Sequence, residues 1–160
     1  MKKIIITLLV VSASVISVLA ADAPKDAKKA DKTAVEYVAD LSSSDEATVI
    51  AAEDWIGQKK EKTAKDKLLD LLKSDNRELV RINAAVALSL IADKTTAEPI
   101  SGFILEESSA DVRYAEALAV FRIGVDSKKA IDNLKAAREK ETDPYIKDLV
   151  AKMEEKLKTK

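Results

Sequence analysis

From residue 33 onward, apolar residues return at every third or fourth position, the spacing that lines one side of a helix. No stretch there alternates apolar and polar residues as a half-buried strand would. Punctuation divides the pattern into short elements. Gly57 and Gly124 each follow an apolar phrase, where a left-handed residue would end a helix. "SDN" from Ser74 and "SSAD" from Ser108 supply side chains that would cap new helices. In "TDP", Asp143 would cap and Pro144 would take the first helical position. The pattern predicts helices over 32–41, 46–57, 62–73, 77–92, 97–106, 110–124, 127–138 and 143–158. The fold class that follows is all-α.

One phrase recurs. "VRINAAVALSLIAD" begins at Val80, and "VRYAEALAVFRIGVD" begins at Val112. Val80, Arg81, Ala85, Ala87, Ile91 and Ala92 match Val112, Arg113, Ala117, Ala119, Ile123 and Gly124 in the same order and spacing. Further on, Ile146, Lys147, Ala151, Met153 and Leu157 continue the pattern. Upstream, "WIG" at Trp55 aligns with "LIA" at Leu90, which puts Asp45-Glu46 where Val-Arg should stand. Partner helices lie between the phrases: "KLLDLL" from Lys67, "EPISGFIL" from Glu98 and "AIDNLKAA" from Ala130. A helix pair of this length cannot bury its apolar stripe alone, but stacked copies form a continuous core.

The phrase V-R-x-x-A-A-x-A-L-x-x-I-A/G, preceded by a Pro-containing helix, resembles the HEAT-like repeat of the type named for phycobilisome lyases. The resemblance is closest over 67–126, less close over 127–158 and least over 33–66. It implies a short α-solenoid of about four helix pairs, with the Val-Arg helices on the concave face of a right-handed superhelix. It also implies a structural ladder in which Arg81 and Arg113 bond between repeats. The pattern's acidic residue, which precedes the Val by one helical turn and more, is matched by Asp75, Glu107 and Glu141.

Residues 1–32 stand outside this pattern. "MKK" followed by the uncharged apolar run 4–20, ending in "VLA", reads as a secretory signal peptide, 1–20, cleaved after Ala20. An uncleaved anchor is the alternative, since the apolar run reaches the lower limit of a membrane span. Residues 21–32, "ADAPKDAKKADK", contain no large apolar side chain and read as a flexible linker before a repeat domain at 33–160. The expected location is therefore the periplasm or the cell exterior.

Composition then narrows the chemistry. Without the two lysines of the leader, 25 basic residues face 28 acidic ones, a balance that gives no electrostatic grip on nucleic acid. There is no cysteine and no histidine. Disulfides, thiolate and Ser-His nucleophiles, and most transition-metal sites are excluded. Carboxylate pairs at Glu53-Asp54, Glu106-Glu107 and Glu154-Glu155 read as solvated, because adjacent helical residues point about 100° apart. No metal, cofactor or catalytic residue is expected.

Two features remain as candidates for recognition. On the Val-Arg helices, Ile82, Val86 and Ser89, then Tyr114, Leu118 and Phe121, recur opposite the core stripe. Either the solenoid closes over these residues or they form an apolar surface for a protein partner, with Arg122 at its edge. The second feature is "QKKEKTAKDK" from Gln58, which reads as an unusually long turn. Its lysines Lys59, Lys60, Lys62 and Lys65 are either simply solvated or a basic lip for an acidic partner. Trp55, just before it, is expected in the core of the first repeat. The expected function is a non-catalytic scaffold that docks a protein segment on the concave face. The alternatives are a lyase-like accessory with a cofactor pocket around Tyr114, Phe121 and Arg122, or a structural protein of the envelope.

Overall fold

The computed structural model describes residues 32–158. Eight α-helices run through them: α1 (Ala34–Asp40), α2 (Glu46–Lys59), α3 (Lys65–Ser74), α4 (Glu78–Ile91), α5 (Ala97–Phe103), α6 (Ala110–Ile123), α7 (Lys128–Lys140) and α8 (Pro144–Lys158). There is no strand among the described residues. The helices form four pairs, α1–α2, α3–α4, α5–α6 and α7–α8. The second members α2, α4, α6 and α8 pack side by side in one layer, and α3, α5 and α7 pack in the other. This is a short α-solenoid. The readings of 1–20 as a signal peptide and of 21–32 as linker lie outside the described residues, apart from Lys32.

Each layer contributes one stripe to a continuous core. Val80 and Val112 open the buried stripes of α4 and α6, and Ile146 does so in α8. Leu68 and Leu72 of α3, Ile100 of α5 and Leu134 of α7 meet them from the other layer. Each such side chain is worth about 1.5–3 kcal/mol relative to leaving it exposed. Ala84, Ala85, Ala87, Ala117 and Ala119 are also buried, and their small size lets neighbouring helices approach closely. The degenerate first pair joins through an aromatic contact. Trp55 stacks on Tyr37 of α1 with ring centres 4.2 Å apart, and both pack half-buried against the core.

Helix ends correct several expectations. Gly57 does not end its helix: α2 continues to Lys59, and Lys60 takes the left-handed conformation, with φ of 55°. Gly57 is buried instead, and a Cβ there would lie 2.9 Å from the Ala87 Cα. Glycine is needed for this close approach of α2 to α4. Ala92 is the matching left-handed residue after α4, with φ of 56°. Gly124 has a positive φ of 85°, but its ψ of 152° is extended.

These ends set the register. Asp45, Arg77 and Ser109 precede α2, α4 and α6, and Lys60, Ala92 and Gly124 follow them. Both series keep the interval that separates Val80 from Val112. Aligning Trp55 with Leu90 is therefore wrong, and Val49, rather than Glu46, stands where Arg81 and Arg113 stand later. The lysine-rich turn is not longer than its neighbour either. Lys60 and Glu61 separate α2 from a 3₁₀ turn at Lys62–Ala64, as Ala92 and Asp93 separate α4 from a 3₁₀ turn at Lys94–Thr96. Both turns use the same device. Glu61 accepts the backbone and hydroxyl hydrogens of Thr63, as Asp93 does from Thr95.

Caps are equally specific. Asp45, Ser109 and Asp143 accept backbone N–H groups of the first turns of α2, α6 and α8. Nothing in "SDN" caps α4: Ser74 is the last residue of α3 and bonds to the Asp70 carbonyl, and the Asp75 carboxylate is engaged by Arg77.

Candidate functional site

A row of arginine–carboxylate pairs runs along the turns that connect the two helices of each pair. Arg81 donates to Glu107 of the next repeat at 2.9 and 3.3 Å, and to the Asp75 carbonyl of its own turn at 2.8 Å. Arg113 repeats this geometry. It donates to Glu141 at 2.8 and 3.0 Å and to the carbonyls of Glu107 and Ser108. Each guanidinium therefore ties the turn of its own repeat to the carboxylate of the following one.

Asp75 has no such donor in the first repeat, because Val49 replaces the arginine. Arg77 supplies the guanidinium from the other side. It donates to both Asp75 oxygens at 2.9 and 2.7 Å and to the carbonyls of Ser43 and Ser44 at 3.3 Å. These two carbonyls occupy the register positions of Asp75 and Asn76 in the next repeat. Sequence reasoning missed Arg77. The available signal was an unpaired acidic position with a second arginine close behind it.

The pairs set the charges. The Arg77 guanidinium holds the Asp75 carboxyl below the usual range, and Arg113 does the same for Glu141. Glu107 is also lowered. Burial alone would raise it, but the Ser109 N–H and the Arg81 guanidinium together outweigh that penalty.

Two other carboxylates behave in the opposite way. Glu53 of α2 and Glu116 of α6 are both 0 % exposed, and no oxygen of either has a hydrogen-bond partner among the described residues. Burial pushes each up to about 8. Asp75 adds to the effect on Glu53 and Arg77 opposes it. Glu107 adds to that on Glu116, while Arg81 and Arg113 oppose it. The reading of Glu53 as solvated is therefore wrong, since α2 turns it inward while Asp54 faces solvent and bonds Gln58. Glu154 is also buried, and it accepts from Arg138 at 2.9 Å.

The residues expected on the inner face are only partly covered. Val86, Tyr114 and Phe121 are 45 %, 43 % and 37 % exposed, Ile82 and Leu118 are half-buried, and Arg122 is exposed. Ser89 is buried and bonds to the Val86 carbonyl. A recess of about 220 Å³ beside Tyr114 is lined by Ala110, Asp111, Asp143, Tyr145 and Ile146, so it includes neither Phe121 nor Arg122. In the lysine-rich turn, Lys59 and Lys60 are exposed and Lys62 is close behind them at the start of the 3₁₀ turn. Lys65 is not free, because it donates to Thr95 at 3.1 Å and pairs with Asp93 at 3.6 Å.

The model of the family described as HEAT repeats matches residues 37–120. The chain belongs to the HEAT-repeat family. That match begins inside α1 and so takes in most of the first helix pair, where the recurring phrase is least legible. No curated protein matches the chain. HEAT repeats commonly act as protein-interaction scaffolds, and this fold is compatible with such a role.

Proposed function

We propose that the protein is an exported, non-catalytic scaffold that docks a protein segment on the α4–α6 face of its solenoid. The observation that carries this reading is the exposure of Val86, Tyr114 and Phe121 on the adjacent helices α4 and α6, whose opposite sides are already buried. Aromatic side chains dominate such interfaces, and truncating one often costs at least about 2 kcal/mol of binding. The leader-like run at 4–20 supports a periplasmic or extracellular location. The recurring phrase supports kinship with the phycobilisome-lyase type of repeat. The lysines Lys59, Lys60 and Lys62 form a secondary basic lip for an acidic stretch of the same partner.

The test uses crosslinking and capture from the native envelope with wild type, Tyr114→Ala and Phe121→Ala, and melting curves on the same samples. Both variants should keep their helicity and lose a partner band that wild type retains. Unchanged capture by two folded variants would move the binding site elsewhere, to the lysine-rich turn. Severe unfolding of both would show that these rings belong to the core.

A further inference from the structure

A polar recess elsewhere in the fold shares no residue with that apolar face. Between the second and third helix pairs lies a recess of about 340 Å³, with the Arg81–Glu107 pair, Asp75 and Glu116 in its walls and Lys73 and Phe103 beside them. We propose that this recess binds an organic cation, a guanidinium or primary ammonium group, whose charge is met by the Glu116 carboxylate.

The case begins with what the other groups are already doing. Asp75 is engaged by Arg77 and Glu107 by Arg81, so their charges are matched within the fold. Glu116 is fully buried, and neither of its oxygens has a hydrogen-bond partner among the described residues. Packing does not demand a carboxylate there. The register positions equivalent to Glu116 hold Ala52, Ala84 and Val150, all buried. The Glu116 oxygens are therefore acceptors that the fold leaves unmatched, and a ligand bringing N–H groups and positive charge would complete them. A guanidinium presents two parallel N–H groups that fit one carboxylate. Phe103 adds an aromatic face. The Lys73 ammonium already lies 6.0 Å from its ring centre, which shows that a cation can be accommodated against it.

Protonation gives the site a signature. Before a ligand enters, Glu116 is held neutral near pH 7 by burial and by Glu107, against the opposing pull of Arg81 and Arg113. Lys73, Asp75 and Glu106 are the other charged groups around the recess. Entry of the cation ionises Glu116, so one proton leaves for each ligand bound and the charges balance. Affinity should rise about tenfold per pH unit while Glu116 is protonated, and level off above about 8.

Calorimetric titration of the full chain with agmatine, at pH 6, 7 and 8 and in two buffers of different ionisation enthalpy, tests this. Wild type should show saturable binding, release of close to one proton at pH 6 and 7 falling to about half at pH 8, and tightening with pH. Glu116→Gln should weaken binding at least about tenfold and remove its pH dependence. Glu53→Gln, which alters a buried carboxylate outside the recess, should change neither. Lys73→Met should tighten binding by removing a competing cation, whereas a weakening would mean that the recess takes an anion. A capped arginine tripeptide distinguishes the source: tighter binding than agmatine marks a partner's side chain, and weaker binding marks a free amine. Absence of saturable binding, or binding without proton release, overturns the proposal. The proton count on wild type decides even where the glutamine variant fails to fold.

Discussion

Glu53 and Glu116 give the protein an unusual dependence on pH, and the sign follows from their direction of shift. Each has an ordinary value of 4.5 and is pushed up to about 8 in the fold. Between these values the unfolded chain has released a proton that the folded chain still holds. Stability therefore falls as pH rises from about 4.5 to about 8, and changes no further above that. Asp75, Glu107 and Glu141 act in the opposite sense, because their pairs hold them below ordinary values. Their contribution is present above the ordinary carboxylate range and is lost as pH falls through their folded values. The maximum should lie on the acid side of neutrality, near the lower edge of the Glu53 and Glu116 window. Urea denaturation across pH should show a decline of a few kcal/mol between pH 5 and 8. In the Glu53→Gln/Glu116→Gln double variant that decline should largely disappear; an unchanged profile would mean that both carboxylates ionise freely in the folded protein.

At the scale of a helix, two substitutions should act against simple propensity. Alanine favours a helix interior over glycine by about 1 kcal/mol, so Gly57→Ala would stabilise an isolated α2. In the solenoid the new Cβ would meet the Ala87 backbone at 2.9 Å, and α4 would have to move. The net effect should be a loss of about 1–2 kcal/mol. Ala92 presents the opposite case. Its left-handed backbone costs an alanine about 1–2 kcal/mol, which exceeds the roughly 0.4–1 kcal/mol of extra chain entropy that a glycine would lose. Ala92→Gly should therefore stabilise by about 0.5–1 kcal/mol. Paired denaturation curves check both signs. Gly124 already provides this residue type after α6, with an extended ψ in place of a full left-handed turn.

Over the whole molecule, stability passes from pair to pair through the shared core and the guanidinium ties. Glu141 keeps only 3 % of its side chain exposed, and Arg113 is its ion-pair partner. Removing Arg113 leaves a buried carboxylate facing only its backbone donors, at a cost of about 2–4 kcal/mol. In a stack where each repeat touches only its neighbours, that loss should be local. Hydrogen exchange on Arg113→Ala should show protection falling first in α7 and α8 while α2 and α4 keep theirs. A uniform loss along the chain would show that the solenoid unfolds as one unit.

The helices and their pairing were legible in the sequence because both follow from local spacing: apolar residues every three or four positions, caps, and a phrase repeated at a fixed interval. The first repeat was legible only in part. Its register depends on where α2 ends, and the helix runs past Gly57, which packs against Ala87 of α4, to a left-handed Lys60. Arg77 was hidden for a related reason, since it answers a missing arginine in a different repeat. Burial of Glu53 and Glu116 could not be read from periodicity either. A glutamate at a helical position looks the same whether the facing side is solvent or another helix, and the neighbouring repeats carry alanine or valine at the Glu116 position. The sequence by itself determined the all-α repeat and the polar ties available to it. Tertiary packing decided which carboxylates lie without partners, because only the stacked helices remove the water that would otherwise solvate them.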